Sequence, residues 1–385
     1  MRKAHVLLLY RKLIPSVRLC GHCQLEYLEK QGKLDYRAEK VSAVSRKSLQ
    51  WADTVILGRL DNAYELALAR CLKSAGKKLL YIIDDDLLNV PPECSSSAYY
   101  SQNEIRSCIQ DMIALSDGLI SPSPLLAEKY TQPGQMCFWI EEPSIDPIPF
   151  TEHHGFPIRI GFAGSVDRTG DLQMILGTAL TRLKKEYGDK LQFVFFGAIP
   201  DFAADLKAIS VPYKDSYSAY RQELNQQAWD IGLAPMPDTP FHACKHYNKF
   251  CEYAAAGIMG VFSAVSPYTR IAQRYDGAVL CDNDPESWYA QLKNLIDDSQ
   301  KREALRMEAS RNANGSLCVA SVAEEFFSAA SEILSYQDDG KGHITGIGRL
   351  RIKGYFTRFR NLWKEYGFGI FPVGIRKLAG KIFSH

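Results

Sequence analysis

The sequence lacks the features that mark membrane-spanning, secreted and nucleic-acid-binding proteins. No apolar run approaches the roughly 18 to 20 residues that cross a bilayer, and the first run, residues 6–10, is too short for a signal peptide. The 10 cysteines are too sparse in 385 residues for a disulfide framework, so we expect reduced thiols in a cytoplasmic protein. A net charge of +2 predicts no nucleic-acid partner.

Two phosphate-binding signatures are also absent, and a third motif is incomplete. The sequence has no GxGxxG at its start and no Walker A run, which disfavours dinucleotide binding and P-loop phosphate transfer. Cys20 and Cys23 form one CxxC pair, whereas a structural zinc site needs a second pair. We therefore interpret the CxxC pair as part of a loop, and predict no metal site and no cofactor.

The length and the apolar pattern predict an α/β protein of two domains. An apolar fraction of 46% in 385 residues is enough for two hydrophobic cores. Short apolar runs alternate with helical lengths such as 61–74 and 103–115, which is typical of parallel sheets wrapped by helices. The predicted strands are 6–10, 54–57, 79–83, 118–121 and 136–140, then 158–162, 193–196, 231–234, 260–263 and 278–281.

A proline-rich passage, residues 142–157, separates the two series of strands. We therefore predict two Rossmann-like, doubly wound domains, 1–150 and 151–340, with a ligand cleft between the carboxyl ends of their strands. The helical patterns at 285–296, 301–311 and 319–334 are expected to cap the second domain.

The C-terminal segment, residues 341–385, has a different composition. It holds 10 Lys and Arg residues and one acidic residue, Glu365. Apolar and aromatic residues recur in 352–366 at steps of three and four, which predicts a basic amphipathic helix. Such a helix can pack on protein, but a charge of one sign favours an anionic membrane surface, which we expect to be contacted through 346–385.

One candidate phosphate site follows the first strand of the second domain. There Gly164 and Ser165 allow a close approach to the backbone, a following helix offers amide donors, and Arg168 adds a positive charge. A second candidate segment carries Asp238, Lys245, Lys249 and Glu252 after a buried strand; the lysines share a helical face if the helix has begun by then. Cations there can neutralise a diphosphate, and carboxylates can bind sugar hydroxyls.

The second segment also carries a family resemblance. DIGLAP at 230–235, DTPF at 238–241 and KFCEYAAAG at 249–257, followed by SPY at 266–268 and NDPESW at 283–288, resemble the C-terminal domain of bacterial glycosyltransferases of the family 4 type. YIIDDD at 81–86 with Leu87 and Pro91, and SDG at 116–118 with Ser121 and Ser123, are similar to the first domain of the cell-surface polysaccharide enzymes in that group. The resemblance covers about residues 1–335.

The resemblance implies a GT-B fold and transfer of a sugar from a nucleotide diphosphate donor, with retention at the anomeric carbon and without a metal. Glu252 matches the acid that grips the ribose. Asp238 stands near the acid that contacts the donor sugar, although 13 residues separate it from Glu252, more than the family's usual spacing. The family's loop lysine is missing beside Arg168, so we hypothesise that Lys245, with Lys249 in reserve, supplies that cation.

The acceptor is expected on the first domain. Arg18 and His22, in a predicted loop, and Asp85, after a strand, are the candidate contacts. For the run of three aspartates at 84–86, capping or acceptor positioning is favoured over binding a divalent ion. With a membrane-bound tail, the acceptor is expected to be a lipid-linked glycan of lipopolysaccharide or capsule synthesis. The alternatives are a sugar-nucleotide 2-epimerase and a non-catalytic glycan- or partner-binding module.

Overall fold

The computed structural model describes residues 2–151 and 155–339, together with Gly342 and Ile344. The predicted basic helix at 352–366 and the membrane contact at 346–385 lie outside these residues. No helix in the described part of the chain is both long and apolar enough to cross a membrane.

Two parallel six-stranded sheets organise the molecule. The first has the order β2-β1-β3-β4-β5-β6 and the second the order β12-β11-β10-β7-β8-β9. The second order is that of a dinucleotide-binding Rossmann sheet. The strands of the first sheet are β1 (His5–Tyr10), β2 (Asp35–Lys40), β3 (Thr54–Gly58), β4 (Lys78–Ile82), β5 (Gly118–Ser121) and β6 (Met136–Trp139). Those of the second are β7 (Ile158–Gly164), β8 (Leu191–Gly197), β9 (Ile209–Val211), β10 (Ile231–Ala234), β11 (Met259–Ser263) and β12 (Ala278–Cys281).

All ten predicted strands are confirmed, whereas β2 and β9 were missed. The central strands read as apolar runs because helices cover both faces; every residue of β3 and β11, for example, is buried. The edge strand β2 is mostly polar and partly exposed, and two of the three residues of β9 are exposed. An edge strand of this kind carries no apolar run for a sequence pattern to detect.

Helices cover both faces of each sheet, so that each sheet lies between two apolar cores. On the first they are α1 (Pro15–Val17), α2 (Cys23–Lys30), α3 (Arg46–Trp51), α4 (Ala63–Ser74), α5 (Ser97–Tyr100), α6 (Asn103–Leu115) and α7 (Pro124–Tyr130). Later in the chain come α8 (Thr169–Tyr187), α9 (Tyr217–Gln227), α10 (Pro240–Ala243), α11 (Asn248–Ala255), α12 (Ile271–Arg274), α13 (Pro285–Asp297), α14 (Ser299–Asn314), α15 (Val319–Ala329) and α16 (Ser331–Leu334).

Two expectations about helices are wrong. The predicted loop around the CxxC pair is a π-helical turn, Arg18–His22, that leads directly into α2. The segment 319–334 does not cap the second domain, because α15 and α16 cross back and pack on α2 and the first sheet. Phe326 and Ile333 are buried there, and Thr54 Oγ1 donates a hydrogen bond to the Ile333 carbonyl at 2.9 Å. The apolar face of a helix shows that it must be covered, but not by which sheet.

Candidate functional site

A cavity of about 300 Å³ lies between the carboxyl edges of the two sheets. On the second domain it opens between β7 and β10, which are neighbours in the sheet. Here the order of the strands switches sides: β8 and β9 follow on one side of β7, and β10, β11 and β12 follow on the other. Ligands of doubly wound sheets bind at this type of position. The lining residues are Ser16, Asp84, Asp85, Glu142, Phe162, Ala163, Gly164, Ser165, Arg168, Ala234, Pro235, Met236, Lys245, His246, Asn248, Lys249 and Tyr268.

Arg168 is fixed at the turn between β7 and α8. Its guanidinium donates to the Pro235 carbonyl at 2.6 Å, and its Nε lies 3.1 Å from Asp171 Oδ2. The side chain therefore joins the carboxyl ends of β7 and β10. Gly164 is required beside it, since a Cβ at that position would lie 2.6 Å from the Phe162 ring.

Lys245 and Lys249 reach the same cavity by different routes. Helix α11 begins only at Asn248, so the condition for a shared helical face is not met and Lys245 precedes the helix. Lys249 Nζ lies 2.6 Å from Glu252 Oε2 and donates to the Tyr220 hydroxyl at 2.9 Å. Lys245 Nζ lies 2.7 Å from Asp85 Oδ1, which belongs to the first domain.

The first domain contributes acidic groups to the opposite wall. Arg59 lies 3.2 Å from Asp84 Oδ2, 3.9 Å from Asp85 Oδ2 and 3.2 Å from Ser16 Oγ. Burial raises the pKa of Asp84. Burial also opposes ionisation of Asp85, but the positive charges of Lys245 and Arg59 outweigh it and lower the pKa of Asp85.

Sequence reasoning missed Glu142, a carboxyl group at the boundary between the domains. It is 1% exposed and accepts a hydrogen bond from Cys20 Sγ at 2.8 Å, while His246 Nδ1 lies 3.6 Å from its Oε2. Burial raises the pKa of Glu142 to about 7. A carboxyl group with this pKa exists in both protonation states near neutral pH, and so can donate or accept a hydrogen bond.

His246, which was also missed, is held by the neighbouring acid Glu141. His246 Nε2 lies 3.0 Å from Glu141 Oε2, and His246 Nδ1 lies 2.6 Å from Asn248 Oδ1. The Tyr247 hydroxyl and Arg274 also bind Glu141, at 2.6 and 2.7 Å. The available signal was the adjacent pair of acids after the last strand of the first domain, which the proline-rich character of the passage obscured.

The structure brings together six of the ten predicted site residues. The six that line the cavity are Gly164, Ser165, Arg168, Lys245, Lys249 and Asp85. Glu252 does not line the cavity; its Oε2 accepts hydrogen bonds from Lys249, which lines it, and from the Tyr220 hydroxyl.

Three predicted site residues lie elsewhere. Asp238 is exposed in the loop between β10 and α10. His22 Nδ1 lies 2.8 Å from the Tyr36 hydroxyl, and both His22 and Arg18 belong to the π-helical turn and do not line the cavity. The roles assigned to all ten residues stay predictions. In the described part of the chain, no group of three or more His, Cys, Asp or Glu side chains could hold a metal ion.

Solved structures, unlike sequences, match this chain over most of its length. No protein-family model and no curated protein matches the sequence. An α-glucosyltransferase in complex with UDP and a 13-mer DNA has a TM-score of 0.60 and 13% identity, covering 86% of this chain and 100% of its own. HepE of Anabaena, in complex with UDP and glucose, has a TM-score of 0.57 and 13% identity, covering 85% of this chain and 99% of its own.

The chain has the GT-B fold. The predicted fold class, two tandem Rossmann-like domains, is therefore confirmed. A third solved structure, a putative UDP-N-acetylglucosamine 2-epimerase from Listeria monocytogenes, has a TM-score of 0.53 and 11% identity and covers 89% of this chain and 99% of its own. The GT-B fold thus serves more than one chemistry among the similar structures, and the family 4 assignment stays a prediction.

Proposed function

We propose that this protein is a glycosyltransferase that takes its sugar from a nucleotide diphosphate sugar. One observation carries the proposal: Arg168 from one segment, and Lys245 and Lys249 from another, line one cavity where β7 and β10 end. The solved neighbours with UDP or UDP-glucose bound support a nucleotide sugar as the partner.

The proposed chemistry assigns one task to each side of the cavity. The diphosphate lies beside the turn of Gly164 and Ser165. As the bond between the anomeric carbon and the diphosphate oxygen breaks, the electron pair stays on the diphosphate, where Arg168 and Lys245 offset its charge. A hydroxyl of the acceptor, held by the first domain, forms the new bond on the face of the sugar from which the diphosphate leaves, and its proton passes to the departing diphosphate. Retention of configuration and independence of a metal are what the family resemblance implies, and both belong to the proposal.

The acceptor we propose is a lipid-linked glycan of cell-surface polysaccharide synthesis. Its support is the sequence: the resemblance to polysaccharide enzymes and the basic, aromatic segment 346–385, which suits an anionic membrane surface. The enzyme would then act at the inner face of the cell membrane.

Titration calorimetry tests the donor site with UDP, GDP and dTDP, and with one nucleotide diphosphate sugar of each base. We expect one of the three nucleotides to bind, and Arg168→Ala to weaken that binding at least tenfold. If none of the three binds, the proposal fails, and the alternative of a non-catalytic binding module is favoured.

A 2-epimerase is the second candidate, because a protein described as a putative epimerase is among the similar structures. Inversion at C2 of a sugar requires removal and return of a proton, and Glu142 is a cavity carboxyl whose pKa lies near neutrality. Incubation with UDP-N-acetylglucosamine alone, followed by NMR of the product, separates the two candidates. Conversion to the C2 epimer without an acceptor would favour the epimerase.

A further inference from the structure

The charged groups of the cavity are divided between its two walls. Among the described residues, the lysine and arginine side chains of the lining are Arg168, Lys245 and Lys249, and all three belong to the second domain. The first domain and the linker contribute the carboxyl groups, which are Asp84, Asp85 and Glu142. The lysine and arginine side chains thus line one wall and the carboxyl groups line the other, and the two walls meet where Lys245 binds Asp85.

Once they bind a diphosphate, the three cations have no charge left for a further anionic group on the sugar. Each already has a carboxylate partner: Asp171 for Arg168, Asp85 for Lys245 and Glu252 for Lys249, at 3.1, 2.7 and 2.6 Å. A diphosphate bound by the lysines would draw them from these partners. The Asp85 carboxylate would then retain only Arg59, at 3.9 Å, which Asp84 shares.

The position of the sugar follows from the proposed function, on which this inference rests. The cations place the diphosphate on the second domain, so the sugar attached to it lies nearer to the wall of the first domain. The polar lining residues of that wall include Ser16, Asp84 and Glu142, and His246 and Asn248 of the second domain lie beside Glu142. Hydroxyl, amide and carboxyl groups bind the hydroxyls of neutral sugars, whereas a second carboxylate in this region would be repelled.

We propose that the cavity selects donors whose sugar is uncharged, and that Glu142, by facing the sugar, excludes nucleotide diphosphate sugars that carry a carboxylate, such as uronic acids. Glu142 is suited to this role because it is buried, and no lysine or arginine lies within ion-pair distance of it among the described residues. The imidazole of His246, which Glu141 and Asn248 also bind, is its nearest basic group.

Calorimetry on the full-length protein at pH 8 tests the inference with matched ligands: UDP, UDP-glucose and UDP-glucuronate, and in parallel GDP, GDP-mannose and GDP-mannuronate, and dTDP, dTDP-glucose and dTDP-glucuronate. For the base that binds, we expect the uronate to bind at least tenfold more weakly than the neutral sugar nucleotide. Equal or tighter binding of the uronate would overturn the inference while leaving the proposed function intact. If no nucleotide binds, both fail.

Two variants test whether Glu142 causes the discrimination between neutral and uronate donors. Glu142→Gln is expected to reduce the ratio of the two dissociation constants at least threefold and to leave the affinity for the nucleoside diphosphate unchanged. Glu65→Gln is the control, because Glu65 is equally buried, has its pKa raised to about 7 by burial, and does not line the cavity. An unchanged ratio in Glu142→Gln, with the fold verified by circular dichroism, would contradict the role of Glu142.

Discussion

Lys245 stands between two competing partners. In the structure its ammonium group binds Asp85 across the cleft, and in the proposed reaction it must instead bind the diphosphate. The carboxylate of Asp85 thus holds the ammonium group of Lys245 near the cavity. The pair also joins the two domains, so the proposed donor binding and the contact between the domains are coupled at this residue.

Replacing Lys245 by alanine tests the cation. Lys245→Ala is expected to lower kcat about 100- to 1000-fold, the usual cost of losing one group that stabilises developing negative charge. The steady-state transfer rate measures it, with Lys293→Ala as the control, since Lys293 pairs with Glu186 on the surface outside the lining. Full activity of Lys245→Ala would refute the assignment of the cation.

The raised pKa of Glu142 predicts that the free energy of unfolding depends on pH. Its pKa is raised to about 7 because burial disfavours the carboxylate, and Asp84 adds a like charge, against partial relief from His246 and the Cys20 thiol. The folded protein therefore binds the proton more tightly than the unfolded chain. The stabilising contribution is present below the unfolded pKa of about 4.5 and is lost as the pH rises through about 7.

Glu142→Gln removes this dependence. At pH 8 we expect the variant to exceed the wild type in free energy of unfolding by about 2 to 3 kcal/mol, and at pH 4.5 to differ by less than about 1 kcal/mol. Urea denaturation at the two pH values measures the difference. A wild type that is the more stable protein at pH 8 would contradict the raised pKa.

At the scale of secondary-structure elements, the crossing of α15 and α16 is the feature that ties the chain together. The second domain's last helices leave it and bury their apolar face on α2 and the first sheet. After α16, Asp338 forms an ion pair with Lys77 of the first domain. The two charged groups are 2.6 Å apart, and both side chains are almost fully buried. Ile344 is buried in the core of the first domain.

Two adjacent phenylalanines test this packing. Phe326→Ala should lower the free energy of unfolding by about 3 to 5 kcal/mol, since the side chain is buried between α15 and the first sheet. Phe327→Ala removes a half-buried ring and should cost less than half as much. Equal losses in thermal denaturation of the two variants would contradict the described position of α15.

At the scale of the whole molecule, polar contacts cross the mouth of the cleft. Besides the ion pair of Asp85 and Lys245, the Ser95 hydroxyl donates to Asp167 Oδ2 at 2.9 Å. Ion pairs at a solvent-accessible cleft contribute little stability. Donor binding can therefore replace such contacts without unfolding either domain.

Deleting residues 346–385 tests the proposed membrane contact. The anchoring residues Asp338 and Ile344 are retained, so the two domains should stay folded and donor binding unchanged. We expect the shortened protein to move from the membrane fraction to the soluble fraction, and to lose binding to vesicles that contain anionic lipid. Membrane association that persists would reject the role of the tail.

The sequence by itself determined the two-domain α/β fold. The central strands are buried on both faces, so a local run of apolar residues is sufficient to reveal them, and the helices between them follow from their spacing. It also indicated Arg168, Lys245 and Lys249, because strand ends and a family motif are local features. The edge strands β2 and β9 carry too little apolar sequence to be found in this way.

Only the tertiary structure decided which residues share the cavity. Glu142 and His246 are 104 positions apart, and Lys245 meets Asp85 over 160 positions, so no spacing rule connects them. The raised pKa of Glu142 likewise comes from burial at the boundary of two domains, which requires both to be in place. The physical reason is that strand formation depends on neighbours in sequence, whereas charge, burial and hydrogen bonding in a cleft depend on neighbours in space.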